Sequence, residues 1–95
     1  MKKYEGVLIF KPDVEETTRE GAFKRFTDII EANGKIDEVS EWGMRRLAYE
    51  VDYYKEGYYY VISFESSPEE IEELTRIASI NDGILRYMFT KREEN

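Results

Sequence analysis

Residues 35–64 read KIDEVSEWGMRRLAYEVDYYKEGYYYVISF, two strands joined by a short connection with no helix between them. Lys35 to about Tyr53 forms one long strand, made irregular by Gly43, which marks a bulge or bend. Lys55-Glu56-Gly57 reads as a hairpin connection, and Tyr58 to Phe64 as the strand that returns. Two strands therefore follow one another directly. Inside the first lies Gly43-Met44-Arg45-Arg46-Leu47-Ala48-Tyr49, where two adjacent arginines interrupt an apolar run. Burying a charge without a partner is expensive. The strand must offer both arginines to solvent, to carboxylates or to a polyanion.

Ahead of this hairpin, Lys3 to Phe10 alternates as a strand and is stopped by Pro12, which lacks a ladder donor. Asp13, with Glu16 three residues on, forms a capping box for a helix whose stripe is Ala22, Phe23, Phe26, Ile29 and Ile30. Asn33-Gly34 ends that helix, glycine supplying the left-handed residue. Behind the hairpin, Ser67-Pro68-Glu69-Glu70 opens a second helix, with serine as cap and proline in the first turn. Its stripe is Ile71, Leu74, Ile77 and Ala78, and Asn81-Asp82-Gly83 ends it. Ile84 to Thr90 is the last strand, and Lys91 to Asn95 a short polar tail. Strand, helix, strand, strand, helix, strand is the ferredoxin-like α+β order, βαββαβ: a four-stranded antiparallel sheet with two helices on one face. Right-handed crossovers put strands one and three in the centre and two and four at the edges. The 95 residues make a single domain.

Alternation then assigns the faces. With Leu8, Phe10, Tyr60, Ile62, Phe64, Tyr87 and Phe89 toward the helices, the other face carries Val7, Ile9, Tyr59, Val61 and Met88. Glu5 and Arg86 fall near its rim. That face is too apolar for water and reads as a docking surface for a partner; the alternative cover is the tail folded back, for which five polar residues after Thr90 are poorly suited, and a one-residue slip in register would exchange the faces.

The formal net charge of −7 is unlike that of a typical nucleic-acid binder. The sum hides a distribution, however. Acids concentrate between Asp13 and Glu31, between Glu69 and Glu73, and at Glu93 and Glu94, whereas Lys2, Lys3, Arg45, Arg46, Arg86, Lys91 and Arg92 lie elsewhere. Lys2 and Lys3 open the first strand and Lys91 and Arg92 follow the fourth, and these pairs are expected at two different ends of the half-sheet. Arg45 and Arg46 point to opposite faces unless a bulge intervenes, and as edge charges they also discourage sheet-to-sheet aggregation. Tyr49, Tyr53, Tyr54, Tyr58 and Tyr59 crowd one hairpin, either to stack on unpaired bases or simply to pack in strands. The lysine/arginine-glycine-aromatic-glycine/alanine-phenylalanine string of four-stranded RNA-recognition modules is absent, so base reading across the sheet is not supported.

With no histidine and no cysteine, the usual neutral-pH base, disulfides and soft metal ligands are missing. No glycine-rich phosphate loop occurs, and the paired glutamates read as helix starts, helix surfaces and tail. These features argue against an enzyme and against a metal or other cofactor. No segment approaches the roughly 20 apolar residues of a membrane span, nor has the amino terminus the apolar stretch of a signal peptide. The expectation is a soluble, cytoplasmic protein.

The chain resembles the family of the sixth protein of the bacterial small ribosomal subunit. Gly43 to Tyr49 looks like that family's glycine-x-arginine-arginine-leucine-alanine-tyrosine string, and Tyr4-Glu5, Glu56-Gly57-Tyr58, Glu73-Leu74-x-Arg76 and Leu85-Arg86-Tyr87-Met88 fall in matching order and spacing. Family members often have proline after the motif tyrosine, where this sequence has Glu50, and many have a long carboxy-terminal extension along a partner, where this sequence ends at Asn95. The resemblance covers essentially the whole chain. It implies a ferredoxin-like, non-enzymatic ribosomal component. Such proteins bind the central domain of 16S rRNA as a heterodimer with the eighteenth small-subunit protein, whose basic charge supplies much of the phosphate neutralisation. By matching position, it implies rRNA or partner contact at Arg45, Arg46 and Tyr49, at the basic-basic-tyrosine opening Lys2, Lys3 and Tyr4, and at Arg86 and Lys91. The partner surface at Val7, Ile9, Tyr59, Val61 and Met88 rests on alternation instead.

Two other classes compete. A homodimeric ligand-binding regulatory domain of the same topology would use the apolar face as its dimer contact, but only Lys11-Pro12-Asp13 stands where its effector loop would be. An acylphosphatase-type enzyme needs an anion-cradling loop and arginine at that same place, and none is evident.

Overall fold

The computed structural model describes residues 1–92. Its elements are β1 (Lys2–Phe10), α1 (Glu16–Asn33), β2 (Lys35–Val51), β3 (Tyr54–Ser66), α2 (Pro68–Ile80) and β4 (Ile84–Lys91). The strand order is β2-β3-β1-β4, every neighbour antiparallel, so β3 and β1 are central and β2 and β4 are edges as the crossover rule requires. One core lies between sheet and helices. Leu8, Phe10, Tyr60, Ile62 and Phe64 from the sheet meet Phe26 and Ile30 of α1 and Leu74, Ile77 and Ala78 of α2. These are the alternate strand positions and the helical stripes expected from the sequence. Phe89 packs against the same cluster, while Tyr87, on the edge strand, is half-exposed.

Local chemistry explains where the elements begin and end, and corrects three expectations. At α2 the Ser67 hydroxyl accepts from the Glu70 backbone N–H at 3.3 Å, with Pro68 in the first turn. At α1 the expected Asp13–Glu16 box does not form. Glu15 is the N-cap residue without a side-chain cap, and Asp13 instead accepts from the Tyr54 hydroxyl at 3.2 Å. Gly34 does end α1, but in an extended conformation (φ −142°). Its glycine is required by packing: a Cβ there would lie 2.1 Å from the Glu65 carbonyl oxygen.

The third correction is the hairpin. The turn is Asp52-Tyr53, both at positive φ (50° and 69°), closed by the Val51–Tyr54 pair. This is the two-residue primed turn that matches strand twist. Lys55-Glu56-Gly57 lies inside β3, because pairing of β2 with β3 continues through Arg45–Gly57 and Arg46–Glu56. Lys91 closes β4 and the Arg92 N–H donates to the Lys3 carbonyl at 2.8 Å, so the first two residues assigned to the polar tail are tied to the sheet. Glu93, Glu94 and Asn95, the rest of that tail, lie outside the described residues.

Candidate functional site

The helix-free face of the sheet is built row by row from the register. Val7 sits between Val61 and Met88, and Ile9 between Tyr59 and Arg86. Glu5 lies between Ser63 and Thr90 at one margin. All five residues assigned to the apolar face therefore share it. Val7, Ile9, Tyr59 and Val61 are half-buried, and Met88, near the edge, is 59% exposed.

On β2 the register decides what the sequence left open. Pairing shifts between Glu41 and Gly43, and Gly43 sits at φ +79°, a bulge at the residue that suggested one. Trp42, in step with Ser40 opposite Val61, lies on the helix-free face, stacked on Tyr59 with ring centroids 6.0 Å apart. Beyond it, Arg45 pairs with Gly57, which alternates in step with Tyr59, so Arg45 shares that face; Arg46 pairs with Glu56 and takes the other. The Arg45 guanidinium lies 5.3 Å from the Trp42 ring centroid, and its Nε donates to the Trp42 carbonyl. Trp42 is 49% exposed and is not among the residues the sequence singles out, because the side it takes depends on how β2 registers against β3.

Past Arg46 regular pairing lapses until Val51. The freed segment carries Tyr49 to the Arg86 guanidinium on β4, 5.0 Å from ring centroid to Cζ, although β2 and β4 are opposite edges. Val51 borders a cleft with Leu85, Arg86 and Tyr87 at the same place. The structure thus brings Arg45, Tyr49 and Arg86 to the borders of one apolar face, with Trp42 and Tyr59 as aromatic floor.

The remaining cations are gathered differently from expectation. Lys2, Lys3, Lys91 and Arg92 border a single cleft with Met1 and Glu65, at one end of the sheet. Antiparallel neighbours begin where the other ends: β1 and β4 pair through Tyr4–Lys91, so the start of one lies beside the finish of the other. Tyr4 is in the core, 7% exposed and stacked on Phe64 at 5.9 Å, so its ring belongs to the packing rather than to the surface.

A second polar assembly holds the bulge from the helix side. The Tyr58 hydroxyl donates to the Glu41 carboxylate, and the Arg19 guanidinium lies 3.6 Å over the Tyr58 ring while its Nε donates to the Tyr60 hydroxyl at 3.2 Å. The bond to Glu41 pushes the Tyr58 phenol above its usual range, and burial does the same to Tyr60. Arg19 is buried one turn before Phe23, extending the α1 stripe upstream of where the apolar pattern begins. Among the described residues no group of His, Cys, Asp and Glu is placed to hold a metal ion, and no helix is long and apolar enough to cross a membrane.

Residues 3–91 match the family model of ribosomal protein S6. The small ribosomal subunit protein bS6 of Moorella thermoacetica is 38% identical over 95 residues, covering 99% of this chain and 97% of that protein. Its counterpart in Thermoanaerobacter pseudethanolicus is 42% identical, covering 99% of this chain and all of that one (100%). The crystal structure of 30S ribosomal protein S6 from Thermotoga maritima superposes with a TM-score of 0.89 at 36% identity, over 96% of this chain and 87% of that one.

Proposed function

The chain belongs to the ribosomal protein S6 family, and we propose that in the small subunit it binds the central domain of 16S rRNA jointly with the eighteenth small-subunit protein. The non-enzymatic reading stands on that membership: the relatives are ribosomal proteins. The observation that carries the proposal is the helix-free face. Its apolar centre, Val7, Ile9, Tyr59, Val61 and Met88, offers a protein partner burial without charge, and Arg45 and Arg86 stand at its borders where a phosphate backbone can approach. Arg45 lies within cation–π distance of Trp42 and Arg86 of Tyr49, contacts that restrict the two guanidinium groups before any partner arrives. The cleft of Lys2, Lys3, Lys91 and Arg92 is a second basic surface at one end of the sheet. Arg46 faces away from the apolar centre, toward the cleft with Pro12 and Tyr54, and is assigned to RNA rather than to the partner.

An acidic chain binds RNA in this scheme because its partner contributes positive charge and its own cations are concentrated where contact occurs. The test is binding to a 16S central-domain fragment, with and without the eighteenth protein, across a salt series. Weak binding alone and tight, salt-sensitive binding by the pair are expected, weakened by Arg45→Ala. A chain that neither joins the partner nor improves RNA binding, and that self-associates through the apolar face, would instead be a homodimeric domain.

A further inference from the structure

Two-residue primed turns favour Asn, Asp or Gly, because both positions lie at positive φ. The β2–β3 tip meets this with Asp52 at φ 50° but places Tyr53 at φ 69°. A bulky side chain there is an uncommon, strained choice, of the kind that collects at functional positions. The fold gains no burial from it: the Tyr53 ring is 95% exposed. Its neighbour Tyr54, by contrast, is half-buried, with its hydroxyl on Asp13 at 3.2 Å and Lys11 6.0 Å from its ring. A residue that strains the backbone and buries nothing has its use outside the chain.

The surroundings narrow that use. Tyr53 borders a cleft with Arg46, Lys55, Tyr54, Glu56 and Pro12, and Arg46 and Lys55 also border the adjoining cleft along residues 47–50. Glu50, Asp52 and Glu56 share the tip with those two cations, so local charge does not favour a phosphate there. What the tip offers is a free aromatic face in a cleft shared with the Arg46 guanidinium, joined through Arg46 and Lys55 to the cleft that Tyr49 borders. Every base has a π-face, and stacking on an exposed ring requires no phosphate neutralisation. We propose that Tyr53 is a stacking platform for an unpaired RNA base, held out at the hairpin tip beside Arg46. The inference deepens the rRNA-binding reading and rests on it.

The test uses Tyr53→Gly and Tyr53→Trp in the full chain, paired with the eighteenth small-subunit protein, with the 16S central-domain fragment as probe. Glycine relieves the left-handed strain and deletes the ring. Its thermal midpoint should rise, while RNA affinity falls about tenfold with an unchanged salt slope. Tryptophan should keep wild-type affinity. A glycine variant no more stable than wild type removes the strain on which the argument stands. Equal RNA affinity of the glycine variant, in a pair that Arg45→Ala does weaken, overturns the stacking role and leaves the rRNA reading intact. Loss of binding to the partner protein without RNA present would make Tyr53 a protein contact and overturn it likewise. A wild-type pair with no RNA affinity overturns both readings.

Discussion

Two glycines, one within α1 and one capping its end, show how differently the same residue type can be used. Gly34 ends the helix where β3 passes so close that an added Cβ would strike the Glu65 carbonyl oxygen. Backbone cannot rotate aside as a side chain can. Gly34→Ala is expected to lower unfolding free energy by about 2 kcal/mol or more, read as a lower urea midpoint at unchanged slope. Gly21 lies on the exposed middle of the helix with nothing within 4 Å of its missing Cβ. Gly21→Ala should therefore stabilise, by about 0.5–1 kcal/mol, because alanine loses less backbone freedom on folding. The sequence marked Gly34 as a helix end but for the wrong reason. The Asn-Gly pair is a local signal, whereas the carbonyl that excludes a Cβ belongs to a strand far along the chain.

At the scale of the element, the bulge in β2 sets which side chains reach the helix-free face. A one-residue change of register would turn Arg45 over. Glu41, immediately before the bulge, is held on the helix side by the Tyr58 hydroxyl, itself beneath Arg19. Tyr58→Phe keeps the ring and removes the donor. It should cost about 1 kcal/mol and shift the emission of Trp42, the single tryptophan, well below the unfolding temperature. An unaltered Trp42 signal would mean the bulge needs no such anchor. The same hydrogen bond has a pH consequence. The Tyr58 and Tyr60 phenols are raised in the folded state, so the folded chain keeps protons that the unfolded chain begins to release near pH ~10. Stability should be unaffected at neutral pH and fall as pH rises past ten, less steeply in Tyr58→Phe. Gly43 made the bulge legible, and tyrosine-rich alternation made β3 legible. The true turn escaped because Asp-Tyr is a weak turn signal beside the glycine at position 57.

Across the whole molecule, acidic side chains are frequent on the outer surface of the helices. The exposed acids Glu16, Glu20, Asp28, Glu31, Glu69 and Glu72 ride on the helices, while Arg45 and Arg86 lie on the opposite face of the sheet. A net charge of −7 therefore does not prevent local cationic borders on the helix-free face. In the salt series with the partner protein, Arg45→Ala and Arg86→Ala should each weaken binding and reduce the salt slope by about 0.7–0.9. Arg76→Ala is the control. Its guanidinium is engaged by Glu73 at 2.6 Å on α2, and both affinity and slope should stay as in wild type.

Sequence alone determined the order of elements, the inward and outward sides of β1 and β3, the α2 cap and the family, because those signals are local: periodicity, capping chemistry and a contiguous motif. Which cations lie together follows only from the three-dimensional fold. Lys2 and Lys3 meet Lys91 and Arg92 because antiparallel pairing joins the start of β1 to the end of β4. Arg45 shares a face with Val7 and Ile9 because a bulge corrects its phase, and Tyr49 meets Arg86 because the hairpin leaves its regular pairing and reaches the far edge. Each of these depends on register between strands distant in the chain, which the pattern within either strand does not encode.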